Sequence, residues 1–244
     1  MTKTGMIFER TEKKYLLSPE DKDRLLTLAG DRLEEDAYPH GTVSSLYLDT
    51  SDRRVIRASI DARVYKEKLR LRAYGTPSLS DSVFLELKKK YKGIVYKRRE
   101  KLTLAEAYRY LENGILPRES QIFSEIGWMI RQNPGIASRA FISYERDAYV
   151  GREDHGLRIT FDQNALYRGE DLRLEHGPYG LPVFPDGMGI MEIKTLGAMP
   201  LWLSGALDSL GIYPVSFSKY GTAYEKYVRG GAVHSAVPKE ALHA

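Results

Sequence analysis

Cysteine is absent from the 244 residues, which excludes disulfides, a thiol nucleophile and zinc held by thiolates. Long apolar runs are missing too: no stretch approaches the ~18 apolar residues of a membrane-spanning helix. The opening MTKTGMIFERTEKKYLL lacks the apolar core of a signal peptide. The expectation is a soluble, cytoplasmic protein. Backbone phosphate loops are also lacking. There is no GxxxxGKS/T, no kinase-type GxGxxG followed by a catalytic loop, and no GxSxG nucleophile turn. If phosphates bind, side chains must hold them rather than a nest of amides. Histidine is scarce, at five residues. His155 and His176 fall in turn-like segments and His234 and His243 in the tail, with no metal-ligand spacing.

Charge is nearly balanced, with 37 Lys+Arg against 33 Asp+Glu and a net of +4. That imbalance is too small to point to nucleic acid, and no nucleic-acid partner is expected. Apolar residues at 42% can build a core without staples. No repeat, low-complexity block or Pro/Gly linker divides the chain. The organisation expected is one domain over 1–229 with a loose, small and polar tail over 230–244.

Alternation with period two predicts strands over 6–17, 43–49, 64–74, 82–90, 94–102, 139–150, 156–163 and 188–195. Helices are expected over 19–30, about 52–59, 103–114, 119–133, 199–210 and 218–229. Ser18-Pro19 opens the first, and Thr103 with Glu106 forms a capping box for the third, which stops at Gly114. Eight strands with interspersed helices indicate α+β, built on an antiparallel sheet or barrel.

The informative pattern is cationic. In KEKLRLRA, Lys66, Lys68, Arg70 and Arg72 share one face of a strand, with Glu67, Leu69, Leu71 and Ala73 on the other. A single such strand reads as half-exposed with its charges in water. The pattern recurs, however. Arg10, Glu12 and Lys14 share a face, as do Glu86, Lys88 and Lys90, and Lys97, Arg99 and Lys101. So do Tyr144 and Arg146; Arg158, Thr160 and Asp162; and Glu192 and Lys194. Like charges opposite one another destabilise a strand pair, so paired rows of this kind call for an anion among them. The rows predict an eight-stranded antiparallel β tunnel or barrel with a charged lumen, flanked by helices on its apolar outside. The same rows also fit an open sheet that binds RNA or an acidic protein.

Three carboxylates, Glu12, Glu86 and Glu192, stand on the charged faces. Each either pairs with a neighbouring cation or contributes to a hard oxygen site for Mn²⁺ or Mg²⁺, which takes one or two carboxylates and completes its shell with phosphate oxygens.

The segments FERTEKKYLL, SSLYLDT, KLRLRAYG, VFLELKKK, SYERDAYVG, LRITFD, MEIKT and SFSKYGTA occur in this order from about Phe8 to Tyr227. In order and spacing the chain resembles the catalytic domain of the vacuolar transporter chaperone (VTC) polyphosphate polymerases, within the triphosphate tunnel metalloenzymes. The resemblance implies a tunnel that binds a triphosphate and a divalent metal, with ATP and polyphosphate as partners. Carried over by position, it implies that Arg70, Arg72, Lys88, Arg146, Arg158 and Lys219 act on phosphates. It assigns substrate binding to Lys14 and Lys97, and Lys194 follows Glu192 on the same face; Arg10 and Lys68 extend the rows. It implies that Glu192 holds metal, with Glu12 and Glu86 as further candidates. The implied reaction moves the ATP γ-phosphate onto polyphosphate. Two alternatives stay open: a triphosphatase, and a non-catalytic polyanion binder. The ExExK opening of the hydrolytic relatives is here Arg10, Glu12, Lys14, with a cation replacing one carboxylate.

Overall fold

The computed structural model describes residues 10–61, 64–92, 94–185 and 187–230. The expected loose tail beyond Gly230, with His234 and His243, lies outside the described residues, as does Phe8. Among the described residues there are nine strands: β1 (Arg10–Leu17), β2 (Leu33–Asp49), β3 (Tyr65–Tyr74), β4 (Ser82–Tyr91), β5 (Ile94–Thr103), β6 (Ala137–Gly151), β7 (Arg158–Arg168), β8 (Leu181–Pro182) and β9 (Gly189–Leu196). Six α-helices accompany them there: α1 (Pro19–Ala29), α2 (Arg54–Asp61), α3 (Leu104–Asn113), α4 (Gln121–Gln132), α5 (Leu201–Ser209) and α6 (Lys219–Ala223). A π-helical turn over Tyr224–Arg229 continues α6. Among the described residues no helix is long and apolar enough to cross a membrane.

The strand order is β1-β9-β7-β6-β2-β3-β4-β5, with β8 on β7. β1 and β5 are its two ends, so the sheet is open, and the expectation of a closed tunnel or barrel with an enclosed lumen is corrected here. The reason is local to the ends. The outer side of β1 is taken by a short irregular segment: Tyr15 bridges Pro214, and the Val215 amide donates to the Lys14 carbonyl at 2.7 Å. β5 carries an almost wholly exposed IVYKRREK run. Alternation in sequence dictates which residues share a face, but it does not dictate whether the outermost strands meet.

The residues gather into two compact units, to which β2, β6 and β7 each contribute on both sides. The first holds 10–41, 145–164 and 184–217. β1 pairs antiparallel with β9, and β9 with β7. One face of these strands is apolar, with Tyr15, Leu17, Ile159, Phe161, Met191 and Ile193 all buried. That face packs with Leu25 and Ala29 of α1 and with Leu203, Ala206 and Leu207 of α5. Ser18 caps α1 by accepting from the Asp21 amide at 3.1 Å, and Pro19 fits the first helical position because no amide is needed there.

The second unit holds 42–144, 165–183 and 218–230. Here β2, β3, β4 and β5 pair antiparallel in sequence order. Leu69, Leu71, Leu85, Leu87 and Leu102 form its apolar face and pack with Leu104 of α3 and with Phe123, Ile126 and Met129 of α4. Burying each such side chain contributes roughly 1.5–3 kcal/mol. The capping box is formed: Thr103 Oγ1 accepts from the Glu106 amide and Glu106 accepts from the Thr103 amide. Gly114 closes α3 at φ 71°, a left-handed conformation that glycine adopts without strain.

Asp49 ties the second unit together. Its carboxylate is fully buried and accepts from the amides of Thr50, Val55 and Ile56, and from the Tyr220 hydroxyl at 3.0 Å. One side chain thus satisfies free amides at the start of α2 and fixes α6. Asp49→Ala strands these buried donors and is expected to lower stability by roughly 3 kcal/mol or more, read as a shift in the urea midpoint with the slope unchanged.

Candidate functional site

The strands that bury leucine on one side carry cations on the other. Across β3, β4 and β5 the register aligns Arg72 with Phe84 and Lys101, Arg70 with Glu86 and Arg99, Lys68 with Lys88 and Lys97, and Lys66 with Lys90 and Val95. Glu86 is the one carboxylate in these rows. In the Lys68–Lys88–Lys97 row lysine stands opposite lysine twice, an arrangement that costs free energy in each pair.

Glu86 is 1% exposed and gathers three cations. Arg70 donates to its Oε2 through Nε at 2.9 Å and Nη2 at 2.7 Å, Lys97 Nζ lies 2.7 Å from Oε1, and Arg72 Nε is 3.8 Å from Oε2. Burial pushes the Glu86 carboxyl up, but Arg70, Arg72 and Lys97 outweigh it and bring it down to about 2. Burial lowers the Lys97 ammonium, with Glu86 opposing and Arg72 and Arg70 adding to the effect.

Aromatic hydroxyls complete this face. Arg70 Nη1 donates to Tyr47 Oη at 3.2 Å, and Arg72 Nη2 to Tyr144 Oη at 3.2 Å. Burial pushes the Tyr47 phenol up, and the cations Arg70, Lys68 and Arg72 override it and bring it to about 8. Tyr47 stacks on Tyr220 at 4.9 Å, so Asp49 supports Tyr47 through Tyr220. Lys68 Nζ donates at 2.7 Å to Ser218 Oγ, the cap of α6, and Lys219 opens that helix with its Nζ 4.4 Å from the Tyr144 ring centre. The second unit therefore brings together Lys68, Arg70, Arg72, Glu86, Lys88 and Lys97 on one face, and links Lys219 to Arg72 through Tyr144. A cavity of about 840 Å³ lies on the apolar side instead, lined by Leu48, Tyr110, Phe123 and Ile130 among others. Tyr47 and Leu48 are consecutive in β2, so they project from opposite faces of the strand.

The first unit holds a different, charge-balanced set. The register places Lys14 opposite Glu192, and Glu12 opposite Lys194. Lys14 Nζ lies 3.7 Å from Glu12 and 3.6 Å from Glu192, and also donates to the Phe217 carbonyl at 3.2 Å. Lys194 Nζ is 3.3 Å and Arg146 Nη2 4.0 Å from Glu192. Arg146 forks onto the fully buried Asp162 at 2.6 and 2.8 Å, and Arg158 binds Asp36 at 2.6 Å. Arg10 stands opposite Leu196 in register, and its side chain lies outside the described residues.

Alternation in the sequence places these cations on their faces but does not show how they are held. Asp36 lies in a segment with no strand pattern, and the sequence around Tyr47 fits a strand-end turn at least as well as a site. Asp162 belongs to the charged face, but its partner Arg146 is set by a strand pairing that alternation does not reveal.

Among the described residues no group of three or more His, Asp or Glu is arranged to hold a metal ion. The donor set still fits a hard cation in the first unit. Glu12 and Glu192 converge on a single ammonium, and Mn²⁺ or Mg²⁺ takes one or two carboxylates when phosphate and water complete the shell. Glu86 does not fit that role, because Arg70 and Lys97 hold its two oxygens at 2.7 Å in a 1% exposed position, whereas Lys14, Lys194 and Arg146 stand 3.3–4.0 Å from Glu192.

Two outcomes follow for the second unit. Glu86→Gln leaves Arg70, Arg72 and Lys97 facing one another and is expected to cost roughly 3–5 kcal/mol, measured by urea denaturation at neutral pH. Because the folded carboxyl sits below its ordinary 4.5, the wild-type advantage is full above that value and disappears as pH falls toward about 2. For Tyr47, a phenolate forms beside Arg70 as pH rises through about 8. A difference-absorbance titration of wild type against Tyr47→Phe should show that single early phenolate, and coincident curves would remove the cations' effect on Tyr47.

The VTC domain family matches residues 9–228. No curated protein matches the chain. Among solved structures, a candidate adenylate cyclase of Bacillus halodurans aligns with TM-score 0.53 at 15% identity, covering 89% of this chain and 96% of that one. A candidate adenylyl cyclase of Hippeastrum, in which triphosphatase activity dominates, aligns with TM-score 0.52 at 19% identity, covering 93% and 98%. At these identities the two structures establish a shared fold. With the family match spanning nearly the whole chain, this protein belongs to the VTC domain family of phosphotransferase-type enzymes that handle nucleotides and polyphosphate.

Proposed function

We propose that the protein transfers the γ-phosphate of ATP to the end of a polyphosphate chain. The observation that carries this reading is the β3–β4–β5 face, where lysine opposes lysine in successive pairs and a single buried carboxylate stands among the cations. Such a face lowers its own energy by taking up a polyanion.

In the reaction a terminal oxygen of the acceptor attacks the γ-phosphorus. The bond from that phosphorus to the β–γ bridging oxygen breaks, and ADP leaves with the electron pair. The acceptor oxygen is already ionised, so no protein base is needed, and catalysis rests on positioning and charge stabilisation. Arg70 and Arg72 are the inner donors. Glu86 and the two tyrosine hydroxyls hold their guanidinium groups in fixed orientations, which limits reorganisation as charge builds on the phosphoryl oxygens. Lys88 and Lys97 add point charge, and Lys68 with Lys219 brings the capped start of α6 to the same face. In the first unit Arg146 and Arg158 are assigned to phosphate by the family resemblance, with Lys14, Lys194 and Arg10 as further cations. Glu192 with Glu12 would hold Mn²⁺ or Mg²⁺, which supplies neutralisation of phosphate oxygens when bound.

A second reading is a triphosphatase in which water accepts the phosphoryl group. It is favoured by the dominant activity of the Hippeastrum protein, which shares the fold. Against it stands Arg10, where the hydrolytic pattern has a carboxylate.

Incubation with ATP and Mn²⁺ separates the two readings. Polyphosphate on a gel with matching ADP is the expected result, whereas free phosphate without polymer selects the triphosphatase. Arg70→Ala should lower turnover by about 10²–10³-fold. Glu192→Ala should abolish the response to metal while nucleotide binding persists, and unchanged metal dependence would remove Glu192 from this role.

A further inference from the structure

The cation rows continue along β3 and β4 beyond the reach of a triphosphate. We propose that Lys66 and Lys90 form an outer phosphate subsite, which holds the part of a polyphosphate chain lying past the inner cations. This rests on the polyphosphate reading above and extends it to selection by chain length.

Lys66 stands directly opposite Lys90, one step along the face from Lys68 and Lys88, which also oppose each other. Arg72 and Lys66 are six residues apart on β3, or ~20 Å at the rise of a strand. A triphosphate anchored on Arg70 and Arg72 does not span that distance; a longer chain does. Exposure rises in the same direction. The Arg72 side chain is 9% exposed, Arg70 21% and Lys97 44%, and at the far end Lys66 is half-buried and Lys90 exposed. The face is thus dry where the guanidinium groups sit and wet where the lysines end, the profile suited to a chain gripped at its reacting end and trailing into water.

The same strands show that the lysine pairs are not an ordinary wet surface. On the opposite face of β3 and β4, Glu67 stands opposite Lys89, and between β1 and β9 Lys14 stands opposite Glu192 and Glu12 opposite Lys194. Where β9 and β7 set Lys194 opposite Arg158, Glu12 faces Lys194 from β1 and Asp36 binds Arg158 at 2.6 Å, whereas β3–β4 sets lysine against lysine twice in succession on one face. Lysine also suits such a subsite, because its ammonium is a point charge on a flexible stem and imposes no planar geometry on a chain that must shift with each addition.

The experiment is calorimetric titration of wild type and the Lys66→Ala/Lys90→Ala protein with inorganic tripolyphosphate and with long-chain inorganic polyphosphate, across a salt series. The double variant should bind the long chain about tenfold or more weakly, keep tripolyphosphate within about twofold, and show a shallower salt dependence for the long chain alone. Lys66→Arg/Lys90→Arg should retain long-chain binding. Wild-type affinity of the alanine variant for the long chain would overturn the subsite, as would equal loss of both ligands. A wild-type protein that binds neither ligand would instead overturn the phosphate reading itself, and the subsite with it.

Discussion

The cationic face of the second unit depends on one buried carboxylate. Without Glu86, Arg70, Arg72 and Lys97 would meet with the two guanidinium groups mostly closed to water, where screening is weak. With it, the strands can pair and the leucines on their other face can be buried. One negative charge serves three close cations. Glu86 thus lets a cation-rich face coexist with a packed leucine face on the same strands.

The first unit solves the same problem in another way. Arg146 and Arg158 each have an aspartate of their own, and Lys14 sits between two glutamates. Its charges are balanced locally, so its cations are oriented rather than merely concentrated. Cations fixed by acids give geometry, and cations left in excess give attraction.

Much of this is legible in the sequence, and the missing parts share a cause. Alternation in KEKLRLRA and VFLELKKK identifies the faces, and Ser18-Pro19 and Thr103 with Glu106 mark helix starts, because each of these signals is local. The first half of β2 is not visible: Leu33–Thr42 contains Glu34, Glu35, Asp36, Pro39 and Gly41, all poor strand residues, and its placement comes from tertiary pairing. The expectation of a closed sheet fails for the same reason, since what borders β1 is Pro214 and Val215, about two hundred residues away in the chain. The pairing of Arg158 with Asp36 is likewise a long-range event. Register is the other hidden quantity: which lysine faces which glutamate cannot be read from strands taken singly.

The open sheet leaves β5 as a terminal strand, and its composition matters for a reason unrelated to phosphate. A bare strand edge invites another chain to add to it. Along β5, Lys97, Arg98, Arg99 and Lys101 crowd the exposed edge with positive charge directed to both faces. A second copy approaching in register would bring the same charges against them. The cationic strand thus works against pairing of two copies through this edge, chiefly by Lys97, Arg99 and Lys101, since Arg98 on the other face is paired with Glu125 of α4 at 3.5 Å.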